Sequence, residues 1–130
     1  MRRWLAFLLL LPAVTLADPT TQRVRFETTA GDFVVELNAA RAPLSVANFV
    51  RYVRSGHYDG TVFHRVIAGF VVQGGGYDTQ YHERPIQAPI PNESGNGLGN
   101  RRGTIAMARM EDPHSAASQF YINLADNVPL

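Results

Sequence analysis

Only one segment of this chain carries a helical period. Pro43 stands where a first helical turn tolerates a missing N–H. Val46, Phe49, Val50 and Val53 then recur at helical spacing, and Gly56 falls where such a helix would stop. The other apolar runs are too short for helices and rich in β-branched and aromatic residues. Residues 24–28 and 33–38, joined by Thr29-Ala30-Gly31-Asp32, read as a hairpin in which Gly31 supplies the positive φ of the turn. Residues 61–66 and 70–73 read as two strands broken at Gly69, and residues 104–109 and 118–124 as two more. In the last run Phe120, Ile122 and Leu124 face one way and Gln119, Tyr121 and Asn123 the other, which predicts exposure for Tyr121. Six strands, one helix and no βαβ alternation predict a mostly β, antiparallel architecture with a flanking helix, a barrel or a sandwich.

Between these runs lies a stretch over 74–103 with seven Gly, three Pro and three Asn and neither period. A loop of that length inside a domain is uncommon and usually functional. With 130 residues, 45% hydrophobic and 18% charged, the chain is long enough for one globular domain and too apolar for a disordered one.

The first residues read as an address. Met1-Arg2-Arg3 precedes the apolar run WLAFLLLL, Pro12 interrupts, and residues 13–17 (AVTLA) end in small side chains. That is the order of a secretory signal, predicted over 1–17, with the domain over 18–130. A membrane anchor would need roughly 20 apolar residues without a break, so no stable anchoring is expected. All twelve basic residues are Arg, and two of them belong to this segment, so no basic patch for nucleic acid remains. Export is expected, and the Arg-only usage favours a bacterial periplasm.

Most catalytic chemistries fail on composition. Zero Cys excludes disulfides, thiolate nucleophiles and Cys-ligated zinc. No G-x-S-x-G elbow is present, and His57, His64, His82 and His114 lack metal-ligand spacing, so no metal and no cofactor is expected. Gly74-Gly75-Gly76 and Gly95-Asn96-Gly97-Leu98-Gly99 precede no apolar helix that could hold a phosphate, and read as loop flexibility.

Residues 63–75, FHRVIAGFVVQGG, differ in kind, because a permanent cation, an apolar wall and a side-chain amide fall within a span of nine residues at a strand edge. This run resembles the signature of the cyclophilin-type peptidyl-prolyl isomerases, F-H-R-x-x-x-G-F-x-x-Q-G-G. The segments GTIAMAR at 103–109 and SQFYI at 118–122 resemble two further blocks of the family, and APLSVANF at 42–49 resembles its first helix. The order agrees from about Val24 to Leu124.

The resemblance implies a cyclophilin-like antiparallel β-barrel and catalysis of rotation about X–Pro bonds in folding polypeptides. The expected partners are proline-containing unfolded or extended chains. Arg65 matches the family arginine that would donate to the twisted proline nitrogen. Phe70 matches the floor of the proline pocket, Val71 a wall position and Tyr121 an aromatic beside it. Gln73 would orient a substrate carbonyl, with Gln119 supporting the same wall. Ala108 and Arg109 fall where the family holds the peptide through backbone groups. The family places an aromatic before the Leu that Leu130 resembles, and here Pro129 stands there. The family's closing strands and second helix have no counterpart in these 130 residues, so the expected barrel is incomplete at its C-terminal end. Two alternatives to an active isomerase stay open: a non-catalytic X–Pro binding or chaperone module, and an inactive remnant.

Overall fold

The computed structural model describes residues 21–130, so the segment read as an export signal lies outside the described residues. The hairpin consists of β1 (Thr21–Thr28) and β2 (Gly31–Asn38), paired antiparallel with Thr28 opposite Gly31. The turn is therefore Thr29-Ala30 alone, tighter than the four residues predicted, and Gly31 opens β2 at φ +125°. Period 2 sorts the two faces. Arg23 lies opposite Glu36 and bonds it at 3.2 Å on the outer face, while Phe26 stacks on Phe33 at 4.6 Å.

The helix α1 (Pro43–Arg54) starts at the predicted proline and gives way at Ser55 and Gly56. Val46 and Phe49 are buried as the period requires, and Val50 and Val53 pack against the same core. Asn48 and Tyr52 are buried too, because α1 has a second contact surface, made by the long loop and by Ala117. Asn48 Nδ2 donates to the Ala117 carbonyl at 2.7 Å, and the Tyr52 hydroxyl accepts from the Gln87 amide at 2.9 Å. The N-terminus of α1 has no cap from its own neighbour Ala42. Instead the Glu93 carboxylate accepts from the amides of Leu44 (3.1 Å) and Ser45 (2.5 Å), placing a negative charge at the positive end of the helix. The Gly-rich loop thus fastens α1 rather than hanging free.

Four short strands form a second sheet in the order β3 (Arg65–Ile67), β4 (Val71–Gly74), β6 (Phe120–Asn123), β5 (Ile105–Met107), all antiparallel. The strand predicted over 61–66 narrows to β3, because Val62 donates to the Tyr77 carbonyl at 2.9 Å and Thr61 bridges to Asp78. The predicted runs over 104–109 and 118–124 contract to β5 and β6.

Phe120 joins the two sheets. It is buried at 3% exposure, with ring centroids 5.5 Å from Phe26, 5.7 Å from Phe49, 5.6 Å from Tyr58 and 6.0 Å from Phe63. These edge-on contacts match the ring quadrupoles and add to the area buried. Among the described residues the two sheets share no ladder and no closed barrel forms. A cleft of about 1000 Å³ lies between them, lined by core residues such as Leu37, Val46, Phe49, Ile105 and Met107. No helix among the described residues is long and apolar enough to cross a membrane.

Removing the central ring leaves a cavity that four neighbouring rings cannot close. Phe120→Ala is expected to cost about 3–5 kcal/mol of unfolding free energy, read as a fall in the urea midpoint. A loss under about 1 kcal/mol would show that the ring cluster does not join the sheets.

Candidate active site

The register of the second sheet aligns the polar residues. Arg65 on β3 is the partner of Gln73 on β4, Gln73 the partner of Tyr121 on β6, and Tyr121 the partner of Ala106 on β5. Directly opposed residues of antiparallel strands share a face. Arg65, Gln73 and Tyr121 therefore form one row on the face opposite that of Phe120. Val71, two residues before Gln73, shares their face. Phe70 lies in the turn between β3 and β4, which Gly69 makes at φ +68°. Its carbonyl is held from two sides, by the Leu124 amide at 2.8 Å and Asn127 Nδ2 at 2.9 Å.

These residues enclose a cavity of about 340 Å³ lined by Arg65, Phe70, Val71, Gln73, Ala108, Arg109 and Tyr121, together with Met110, Pro129 and Leu130. Gln119 is the one expected site residue that does not line it. It stands behind the row, where its Oε1 accepts from Gln73 Nε2 at 2.8 Å. Gln73 in turn accepts from Arg65 Nη1 at 3.2 Å through its own Oε1. Both ends of the Gln73 amide are thereby assigned, and Arg65, exposed at the rim, acquires a defined orientation. The Ala108 amide donates to the Gln119 carbonyl at 2.9 Å, so the backbone acceptor that Ala108 can offer a peptide is its carbonyl. Arg109 folds back, with Nη1 donating to the Met110 carbonyl at 2.9 Å.

Beneath the floor is an amide network that sequence reasoning missed. Asn123, expected on an exposed face, is 1% exposed. Its Nδ2 donates to Asn100 Oδ1 at 3.1 Å and to Thr104 Oγ1 at 3.0 Å, and its Oδ1 accepts from Asn127 Nδ2 at 2.8 Å. The Tyr121 hydroxyl donates to the same Asn100 Oδ1 at 3.0 Å, which leaves Tyr121 half-buried rather than exposed. Asn100 comes from the long loop and also donates from Nδ2 to the Leu130 carbonyl at 3.0 Å, holding the wall that Leu130 contributes. The visible signal was the Asn content of that loop; its partners lie too far along the chain to be read locally.

One titratable member of the row and one group beside it are shifted. Burial pushes the Tyr121 phenol up, opposed by the Asn100 hydrogen bond and the Arg109 charge, so it serves as a neutral donor and an apolar surface. The His64 ring is driven below the ordinary histidine value by burial and then by the Arg65 charge. It lies edge-on to Tyr77 at 4.7 Å, and its buried Nδ1 has no hydrogen-bond partner among the described residues. No group of three or more carboxylates, His or Cys is placed to hold a metal among those residues.

An apolar pocket whose rim carries an oriented guanidinium and a side-chain amide thus lies on one face of a short antiparallel sheet. The family model of the cyclophilin type peptidyl-prolyl cis-trans isomerases matches residues 23–130, and the chain belongs to that family. It is 57% identical over 104 residues to the peptidyl-prolyl cis-trans isomerase cyp18 of Streptomyces antibioticus, covering 80% of this chain and 63% of that protein. It is 50% identical over 104 residues to peptidyl-prolyl cis-trans isomerase B of Escherichia coli, again covering 80% and 63%. The chain thus spans less than two thirds of the length of these curated relatives. Among solved structures, a cyclophilin of Cryptosporidium parvum crystallised in the presence of the dipeptide Ala-Pro superposes with a TM-score of 0.71 at 31% identity, covering 84% of this chain and 72% of that one. The cyclophilin AquaCyp293 of Hirschia baltica superposes with a TM-score of 0.73 at 26% identity, covering 87% and 60%.

His64 gives the site a pH signature. The unfolded chain binds a proton at the ordinary value of 6.5, and the folded chain binds it only at lower pH. Stability is therefore full above that value and falls as pH drops from it toward the lowered folded value. The urea midpoint is expected to fall between about pH 7.5 and about pH 5.5, and to fall less in His64→Gln. An equal fall in both proteins would assign the dependence to other groups.

Proposed function

We propose that this chain accelerates cis/trans rotation about X–Pro bonds in unfolded or extended polypeptides. The observation that carries the reading is the guanidinium of Arg65, held by Gln73 at the rim of an apolar pocket floored by Phe70, Val71 and Tyr121. The barrier to rotation is about 18–20 kcal/mol because resonance stiffens the C–N bond. When the amide twists, that resonance is lost, and the proline nitrogen becomes pyramidal and regains a lone pair. A donor aimed at the nitrogen favours the twisted state over either planar isomer, which is differential binding of the transition state. Arginine suits the task because it stays protonated and presents N–H groups in a rigid fork. The apolar floor takes the pyrrolidine ring, Gln73 the adjoining carbonyl, and the backbone of Ala108 and Arg109 the extended chain. No covalent bond breaks, so the reaction needs neither nucleophile nor cofactor. Support for the ligand class comes from the Cryptosporidium relative crystallised with Ala-Pro. We further propose that residues 18–130 form the isomerase domain and that residues 1–17 direct it to the periplasm, supported by the order of positive, apolar and small residues there.

The test is two-dimensional exchange NMR on a short Ala-Pro peptide. The chain is expected to speed exchange, and Arg65→Ala to lower kcat/KM by about 100-fold, the cost of one preorganised donor, with peptide affinity changed little. Peptide binding without accelerated exchange in the unaltered chain would replace the isomerase by an X–Pro binding module; neither binding nor exchange would leave an inactive remnant. For the leader, the exported protein should begin at Asp18 on N-terminal sequencing, and material that retains Met1 would overturn the export proposal.

A further inference from the structure

We infer that Gly76 and Gln119 are positioning residues for Arg65, because the bare α-carbon of Gly76 leaves the space from which Gln119 holds Gln73 against the guanidinium. The backbone at Gly76 does not demand glycine. Its φ lies outside the left-handed region, unlike that of Gly75 beside it at +89°. What excludes a side chain is Gln119. A Cβ at position 76 would lie 2.6 Å from Gln119 Nε2 and 2.8 Å from both its Cδ and its Cγ, all below the 3.0 Å that real Cβ contacts respect.

Since Cγ is one of these atoms, turning the terminal amide alone gives no relief, and the side chain must shift as a whole. The two backbones are tethered: the Gly76 carbonyl accepts from the Arg84 amide at 2.9 Å and the Gln119 carbonyl from Ala108 at 2.9 Å. The side chain is therefore the part that yields. With Gln119 Oε1 displaced, the 2.8 Å bond that fixes the Gln73 amide weakens, and Gln73 Oε1 is held less firmly against Arg65 Nη1. Among the described residues, that contact is the one side-chain hydrogen bond Arg65 makes. The third glycine of Gly74-Gly75-Gly76, read from sequence as loop flexibility, instead acts through a contact 43 residues away along the chain, at Gln119.

The activity arm of the test rests on the isomerase reading, and a second arm does not. Gly76→Ala in the full chain is expected to lower kcat by roughly five- to tenfold, the worth of one part-buried hydrogen bond, with KM nearly unchanged. It should also shift the Gln73 side-chain amide signals in a ¹⁵N spectrum. In a Gln119→Ala background the same substitution should change kcat by less than about twofold and leave those signals in place. An equal cost in both backgrounds, or a change in KM alone, would overturn the inference. If Gly76→Ala does not fold, recovery of the fold in Gly76→Ala/Gln119→Ala supports the steric link, and failure of both variants to fold overturns it. A wild-type chain without isomerase activity ends the isomerase reading, while the Gln73 amide signals still decide this one.

Discussion

The contact of Phe120 with four other rings sets the geometry of everything around it. The ring joins a hairpin and a helix to a sheet with which they share no ladder, and it draws Phe26, Phe49, Tyr58 and Phe63 onto one centre. Because side chains alternate along a strand, burying residue 120 turns Gln119 and Tyr121 to the opposite face. The core and the site are thus two sides of one strand. A slip of one residue in β6 would exchange them.

On that opposite face the site is built as a relay rather than a cluster. Arg65 is exposed and flexible by nature, and its orientation comes from Gln73, which takes its own from Gln119. Beneath the pocket, Asn100, Asn123 and Asn127 satisfy one another and hold the Tyr121 hydroxyl, the Phe70 carbonyl and the Leu130 carbonyl. Buried amides of this kind are costly when unpaired and specify geometry when paired. An apolar pocket with a rigid polar rim follows, and that suits the proposed reaction, whose work is to prefer one amide geometry over another.

Local features were legible in the sequence and distant ones were not. The helix announced itself through Pro43 and the spacing of Val46 and Phe49, and the hairpin through period 2. The seven residues from Arg65 to Tyr121 that line the pocket follow from the family resemblance, since matched motifs fix residue positions that propensity cannot. The long loop was the failure. Glu93 caps α1 from 48 and 49 residues away, and Asn100 reaches Tyr121 across 21. Nothing in a run of Gly, Pro and Asn marks which polar side chain will find a partner that far off. Asn123 misled for the same reason: alternation assigned it to an open face, which the loop then covered.

The described residues form two cavities: the small one over the Arg65 row, and the larger core-lined cleft between the sheets. They differ in chemistry, because only the small one offers Arg65 and Gln73. The most direct measurement is a set of intermolecular NOEs with an Ala-Pro peptide bound to the isotope-labelled chain. Binding at the Arg65 row predicts contacts from the proline ring protons to the Phe70 and Tyr121 rings and to the Val71 methyls. Contacts instead to Val46, Phe49 and Met107, in the cleft, would contradict it.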